Sequence, residues 1–217
     1  MIGGVQVGLA LGAVVLGLAL GPLLDRAAAA SLREPDDAVW RPRPILTGAI
    51  AGCAGAVSAL LVPTLPLLPA WLALSMIGTV IVRADSVRHR IPDVLTMAAL
   101  ATGAVLLVIP GDLQAYGRAW LGALALTAAL LLLALIGPSG LGMGDVKLAP
   151  TLGLYLGYLG WTPLLVGVMA GFVLAAVVGV LAVIRDAVRG QSVAGALRRA
   201  LPFGPFLLLG TLVGLLV

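Results

Sequence analysis

Charge is scarce in this 217-residue chain: 10% of residues are Asp, Glu, Lys or Arg, 61% are apolar, and the mean hydropathy is +1.17. A soluble domain of this length must face water, which excludes so apolar a composition and leaves the membrane class. Cysteine is nearly absent too. Cys53 alone can form neither an internal disulfide nor a CxxC zinc site, and inside its apolar stretch it is expected to be a buried, inert thiol. The one histidine, His89, stands between Arg88 and Arg90 and reads as a solvated loop residue. A pI near 10 is no sign of nucleic acid here, because the basic residues are scattered between apolar runs and gather into no stripe. There is no internal repeat, no low-complexity tail and no second domain, so 1–217 reads as one integral-membrane domain. The 29 glycines have no collagen period and must serve helix contacts and breaks.

Long apolar runs are what the chain has in abundance. Eight can be drawn, each bounded by Pro, Gly or charge: 2–24, 45–62, 69–84, 94–109, 119–136, 146–159, 162–184 and 203–217. The expectation is an all-α polytopic membrane protein with about eight transmembrane helices. A span takes roughly 17–25 residues, so the third, fourth, sixth and eighth runs must draw their polar ends into the membrane zone. The first run is too long for a signal-peptide core, has nothing positive before it and is followed by Arg26. It reads as a retained helix with its N-terminus outside.

Eight spans put 25–44, 83–93, 137–147 and 185–201 on one side, and these hold 12 of the 13 basic residues, leaving only Arg118 opposite. The positive-inside rule makes the crowded side cytoplasmic and places both termini outside, in the cell membrane. Trp40, Trp71, Trp120 and Trp161 each open a span, where an amphipathic ring prefers the interface with the lipid bilayer. Small-residue stripes at every fourth position, Gly4–Gly8–Gly12 and Gly167–Gly171–Ala175–Gly179, read as close-packing helix seams.

Two acids stand where a charge is costly. Asp85 ends the third run and Asp145 closes Gly142-Met143-Gly144-Asp145 at the start of the sixth, both on the cytoplasmic side. An ionisable residue at the bilayer boundary has a functional default reading. The glycines are expected to allow backbone conformations closed to other residues and to let a peptide approach the main chain. The helix dipoles favour an ionised Asp145 and a protonated Asp85. One carboxylate could then activate water while the other donates a proton, the two titrating as a unit. That is the chemistry of an aspartic hydrolase acting on a membrane-borne peptide.

Asp85 with Arg90-Ile91-Pro92-Asp93-Val94-Leu95-Thr96, then Gly142-Met143-Gly144-Asp145-Val146-Lys147-Leu148, then Pro202-Phe203-Gly204-Pro205-Phe206, resembles the type IV prepilin peptidases. These are polytopic GxGD aspartic proteases, and the resemblance in order, spacing and sidedness covers nearly the whole chain. It implies that Asp85 and Asp145 are the two catalytic acids and that no metal or organic cofactor is used. The implied substrates are prepilin-like proteins, cut at the cytoplasmic face between a short basic leader and a hydrophobic segment. Larger bacterial members carry a loop with paired CxxC motifs, associated with N-methylation. The corresponding stretch, 25–44, has no cysteine, which implies a short, peptidase-only form. The Pro-Ala-Leu motif of the presenilin branch is missing.

Gly142, Gly144 and Lys147 are expected to support the active-site loop, although Lys147, two positions from Asp145, points to a different helix face. Asp93 reads as first-turn charge on its helix, Gly204 as a helix-opening break and then as a groove wall, and Glu34, Asp36 and Asp37 as solvated loop. Gly160, on the outer face, is expected to accept a methyl group. Two other classes could use the acids: a small proton- or cation-coupled transporter, and an inactive pilus or secretion assembly factor.

Overall fold

Lipid offers no partner to a free backbone N–H or C=O, so a chain this apolar must pair its backbone internally. It does so in helices. The computed structural model describes residues 4–32, 41–88, 91–136, 142–189 and 202–217, and among them there are eight α-helices and no strand. They are α1 Gly4–Ser31, α2 Pro44–Leu61, α3 Leu68–Arg88, α4 Asp93–Leu106, α5 Leu113–Ile136, α6 Met143–Leu159, α7 Trp161–Val188 and α8 Gly204–Gly214, with a short 3-10 turn, Leu65–Leu67, leading into α3. Each expected apolar run becomes one helix, and the protein is an all-helical polytopic membrane protein. Of these helices, α1, α2, α3, α5 and α7 are long and apolar enough to cross a membrane, whereas α4, α6 and α8 are shorter.

Familiar local chemistry sets the helix starts. Pro44 opens α2 and Pro205 sits in the first turn of α8, where a missing N–H costs nothing. Gly111, at φ +76°, turns the chain out of α4, and the Asp112 carboxylate then accepts from the Ala115 N–H at 2.9 Å to begin α5. Gly160 joins α6 to α7 at φ +155°. A side chain there would be strained, so the expectation that Gly160 accepts a methyl group is overturned.

The short α6 is the centre, packed against α4, α5, α7 and α8, with every residue from Leu148 to Tyr158 buried except Pro150. Beside it, α1 and α2 pair with each other and lean on α3. Glycine seams bring three helix pairs together. Gly17 and Gly21 of α1 meet Gly48 and Gly52 of α2, Gly122 of α5 meets Gly153 and Gly157 of α6, and Gly167 and Gly171 of α7 meet Gly210 of α8. At each seam an added Cβ would run into the facing backbone. The expected α7 stripe is therefore used at Gly167 and Gly171. The expected α1 stripe is not: Gly4, Gly8 and Gly12 have nothing within 4 Å, because Gly48 and Gly52 lie alongside the other half of α1.

Two further expectations shift. Cys53 is exposed, because α2 turns Gly48, Ala51, Gly52 and Gly55 to its neighbours and leaves Cys53 off that face. Trp71 is a core residue, not an interfacial one: it meets the Tyr155 ring edge-on at 5.5 Å, and the Tyr155 hydroxyl donates to Ala70 O at 3.1 Å. Trp120 and Trp161 are exposed, as an aromatic belt requires. Arg118 donates to the carbonyls of Gly157 (3.0 Å) and Tyr158 (2.7 Å), closing the C-terminal end of α6. Trp40, His89, Glu34, Asp36 and Asp37 lie outside the described residues.

Candidate active site

The site begins with helix ends. Expected to finish near residue 24, α1 continues to Ser31 and carries Asp25 inside the helix, buried. The Asp25 carboxylate accepts from the Arg43 N–H at 3.0 Å, the Thr47 hydroxyl at 2.8 Å and the Arg83 guanidinium at 3.2 Å. Arg83 also donates to Arg41 O at 3.1 Å. These bonds gather the C-terminal part of α1, the start of α2 and the last turns of α3. A charge can be buried so deeply because it is both paired and hydrogen-bonded.

Two residues beyond Arg83, on another face of α3, Asp85 is buried too. It lines a cavity of about 390 Å³ together with Asp145 in the first turn of α6. The two carboxyl groups are close enough for their charges to interact. Like charges held in one site repel each other. A local compensation exists: α4, α6 and α8 all begin here, through Asp93, Gly142–Asp145 and Gly204. Helix N-termini present free N–H groups and the positive end of the dipole, which lower the cost of holding negative charge in the cavity.

The glycines of the motif serve space, not unusual dihedrals. Gly142 has φ −69° and ψ 142°, which any residue adopts, and Gly144 is helical, so the expectation of special backbone conformations is not met. Instead, a Cβ on Gly142 would stand 3.1 Å from Asp145 Oδ2, and one on Gly144 would stand 3.3 Å from the backbone N and side chain of Ile91. Gly142 leaves room for the acid, and Gly144 lets the chain at Ile91 close on α6.

Lys147 lines the same cavity from its rim, donating to Asp93 Oδ1 at 2.6 Å with both side chains largely exposed. This pair bridges the first turns of α4 and α6. Asp93 is a first-turn residue, as expected, and gains a bridging contact that sequence spacing could not show.

Gly204 matters more than its sequence reading suggests. A Cβ there would stand 3.0 Å from both Asp85 Oδ2 and Ile91 Cδ1, so α8 begins directly against the carboxyl of Asp85. The Asp25 cluster went unread altogether. Its one signal was an acid at the edge of an apolar run, the same feature that singled out Asp85.

With the site placed, the chain can be set against known proteins. A family model described as the type IV leader peptidase family matches residues 70–180, half of the chain. The match runs from α3 to α7 and includes Asp85 and Asp145. No curated protein and no solved structure matches the chain.

Proposed function

The chain belongs to the type IV leader peptidase family, and on that premise we propose that it is a membrane aspartic endopeptidase whose catalytic acids are Asp85 and Asp145. The observation that carries the reading is their placement: two buried carboxyl groups from different helices face one cavity. In that arrangement the ionised member takes a proton from a water molecule as its oxygen attacks the scissile carbonyl carbon. The neutral member donates its proton to the carbonyl oxygen. Collapse of the tetrahedral intermediate breaks the C–N bond and the leaving nitrogen takes up a proton from the pair. The dipoles of α4, α6 and α8 favour the negative charge that remains on the dyad.

The substrates on this reading are prepilin-like proteins with a basic leader and an apolar segment, cut at the cytoplasmic face of the cell membrane. Convergence of the basic ends of α1, α2 and α3 with the acid cavity supports that sidedness, because the Asp25 cluster and the Asp85 cavity occupy the same end of the bundle. The stretch 25–44 has no cysteine, so the enzyme trims its substrate without methylating it. Co-expression with a type IV prepilin tests the proposal. The prepilin should gain the mobility of the processed form and carry an unmethylated N-terminus by mass spectrometry. Unprocessed prepilin beside a well-accumulated wild-type protein would refute it.

A further inference from the structure

Of the helices that begin at the acid cavity, α8 starts without a side-chain cap. Its N-cap is Phe203, which has no side-chain acceptor to offer, and Pro205 in the first turn brings no N–H. The first turn hangs from the Phe203 carbonyl, which accepts from the N–H groups of Phe206 at 3.0 Å and Leu207 at 3.2 Å. Wherever Phe203 sits, Gly204 must follow. Gly204 is the residue pressed on the Asp85 carboxyl, since a Cβ there would stand 3.0 Å from Oδ2.

Helix α7 places Phe203. The Phe203 ring meets the Phe172 ring edge-on, with centroids 5.0 Å apart and planes inclined at 63°. Gly171, the residue before Phe172, lies under the same turn: a Cβ on it would stand 3.1 Å from Phe206 O and 3.2 Å from Leu207 Cα. A glycine contact of this kind sets how closely two helices approach and leaves one free to roll on the other. The ring pair, standing just ahead of the first turn, removes that freedom. Successive residues then face different neighbours: Phe203 meets α7, whereas Gly204 meets Asp85 and Ile91. Ile91 lies in turn against Gly144, the residue before Asp145, so the contacts reach both acids.

We infer that Phe172 is a positioning residue for the acid pair, setting the Asp85 carboxyl through Phe203 and Gly204. The inference rests on the peptidase reading and extends it to a side chain one helix removed from the reacting atoms. Without the Phe172 ring, the start of α8 settles toward α7 and the wall beside Asp85 draws back with it. A misplacement of about 1 Å can cost on the order of a hundredfold in rate, and the loss falls on the chemical step, not on substrate capture.

Kinetics with purified enzyme and a purified type IV prepilin test this. Phe172→Ala should lower kcat about tenfold or more with KM changed no more than about twofold. Phe172→Tyr, which keeps the ring, should recover kcat to within about threefold of wild type. Phe203→Ala should match Phe172→Ala, and the double variant should be no worse than either, because both remove one contact. Leu212→Ala is the control. Leu212 packs on the core about 12 Å further along α8, so its truncation should lower the thermal unfolding temperature and leave kcat unchanged. A second readout needs no cleavage. In a Cys53→Ala, Asp85→Cys background, maleimide labelling of position 85 should be roughly fivefold faster or more with Phe172→Ala, and unchanged with Leu212→Ala. An unchanged kcat or labelling rate in Phe172→Ala, multiplied losses in the double variant, or an equal kcat loss in Leu212→Ala would overturn the inference. A wild-type protein that cleaves no prepilin would count against the peptidase reading instead, and the labelling rates would still decide the positioning.

Discussion

Asp25 and Asp145 are both nearly inaccessible, at 4% and 6%, and both stand at the same end of one molecule, yet their surroundings are opposites. Asp25 is answered by a guanidinium, a hydroxyl and a backbone N–H, and these donors tie three helices together. Asp145 faces a second acid across a solvent-sized cavity, with helix N-termini as its main compensation. The first arrangement makes the carboxylate a structural tie between helices. The second sets two carboxyl groups from different helices across one cavity, the arrangement on which the proposed proton transfer rests. Burial alone therefore does not distinguish a proposed catalytic acid from a structural one. The partner does.

That contrast is sharpest under substitution. Asp85→Asn or Asp145→Asn should each reduce prepilin cleavage by about a thousandfold or more. Accumulation in the membrane should be unchanged and the double variant no worse, because the pair acts as a unit. Gel mobility of the prepilin at matched enzyme levels reads this out, and substantial cleavage by either single variant would break the dyad. Asp25→Asn should do the reverse. Removing a counter-charge of the buried Arg83 should cost on the order of 3 kcal/mol, so less protein accumulates and its thermal unfolding in detergent moves down. The folded remainder should still cleave; a folded, inactive Asp25→Asn protein would place Asp25 in the chemistry.

A smaller effect is expected at Gly204→Ala, where the new methyl must displace the Asp85 carboxyl or Ile91. Displacement by about 1 Å can cost on the order of a hundredfold in rate. Gly117→Ala is the matched control, since nothing lies within 4 Å of that position and a helical Gly-to-Ala change is mildly stabilising, by roughly 0.5–1 kcal/mol. Equal cleavage rates in the two variants would remove Gly204 from the site. Least affected should be Lys147→Ala. Its partner Asp93 is largely exposed, and surface pairs contribute about 0–1 kcal/mol, so cleavage should change no more than a few-fold. A larger loss would show that the rim pair holds α4 and α6 in register for catalysis.

The fold was largely legible because apolar runs report helices directly where backbone pairing is compulsory. All eight runs became helices, and Asp85 and Asp145 are marked by their places at run edges, by the Gly142–Asp145 motif and by the family resemblance, while the cavity shows that they come together. What escaped were relationships between runs. Asp25 looked like the first loop residue because hydropathy ends at Leu24, whereas hydrogen bonds to Thr47 and Arg83 carry α1 about two turns further. Trp71 looked interfacial until Tyr155 supplied a ring in the core. The Gly4–Gly8–Gly12 stripe matched a packing pattern, but among the described residues nothing lies within 4 Å of it. Gly160 looked like an ordinary loop residue because a sequence carries no dihedral angle.

The short helices have a consequence for the bilayer itself. At 1.5 Å per residue, α4, α6 and α8, of 14, 17 and 11 residues, rise only about 21, 26 and 17 Å. All three begin at the acid cavity; α6 is enclosed, but α4 and α8 expose apolar residues such as Met97 and Leu209, so the hydrocarbon is expected to thin beside these two while the longer α1, α5 and α7 accommodate a full-thickness membrane elsewhere. Such thinning would bring headgroups and water toward Asp85 and Asp145 on that flank. On the proposed function, acyl-chain length is then expected to affect cleavage: a thicker bilayer opposes the dip and should lower the rate.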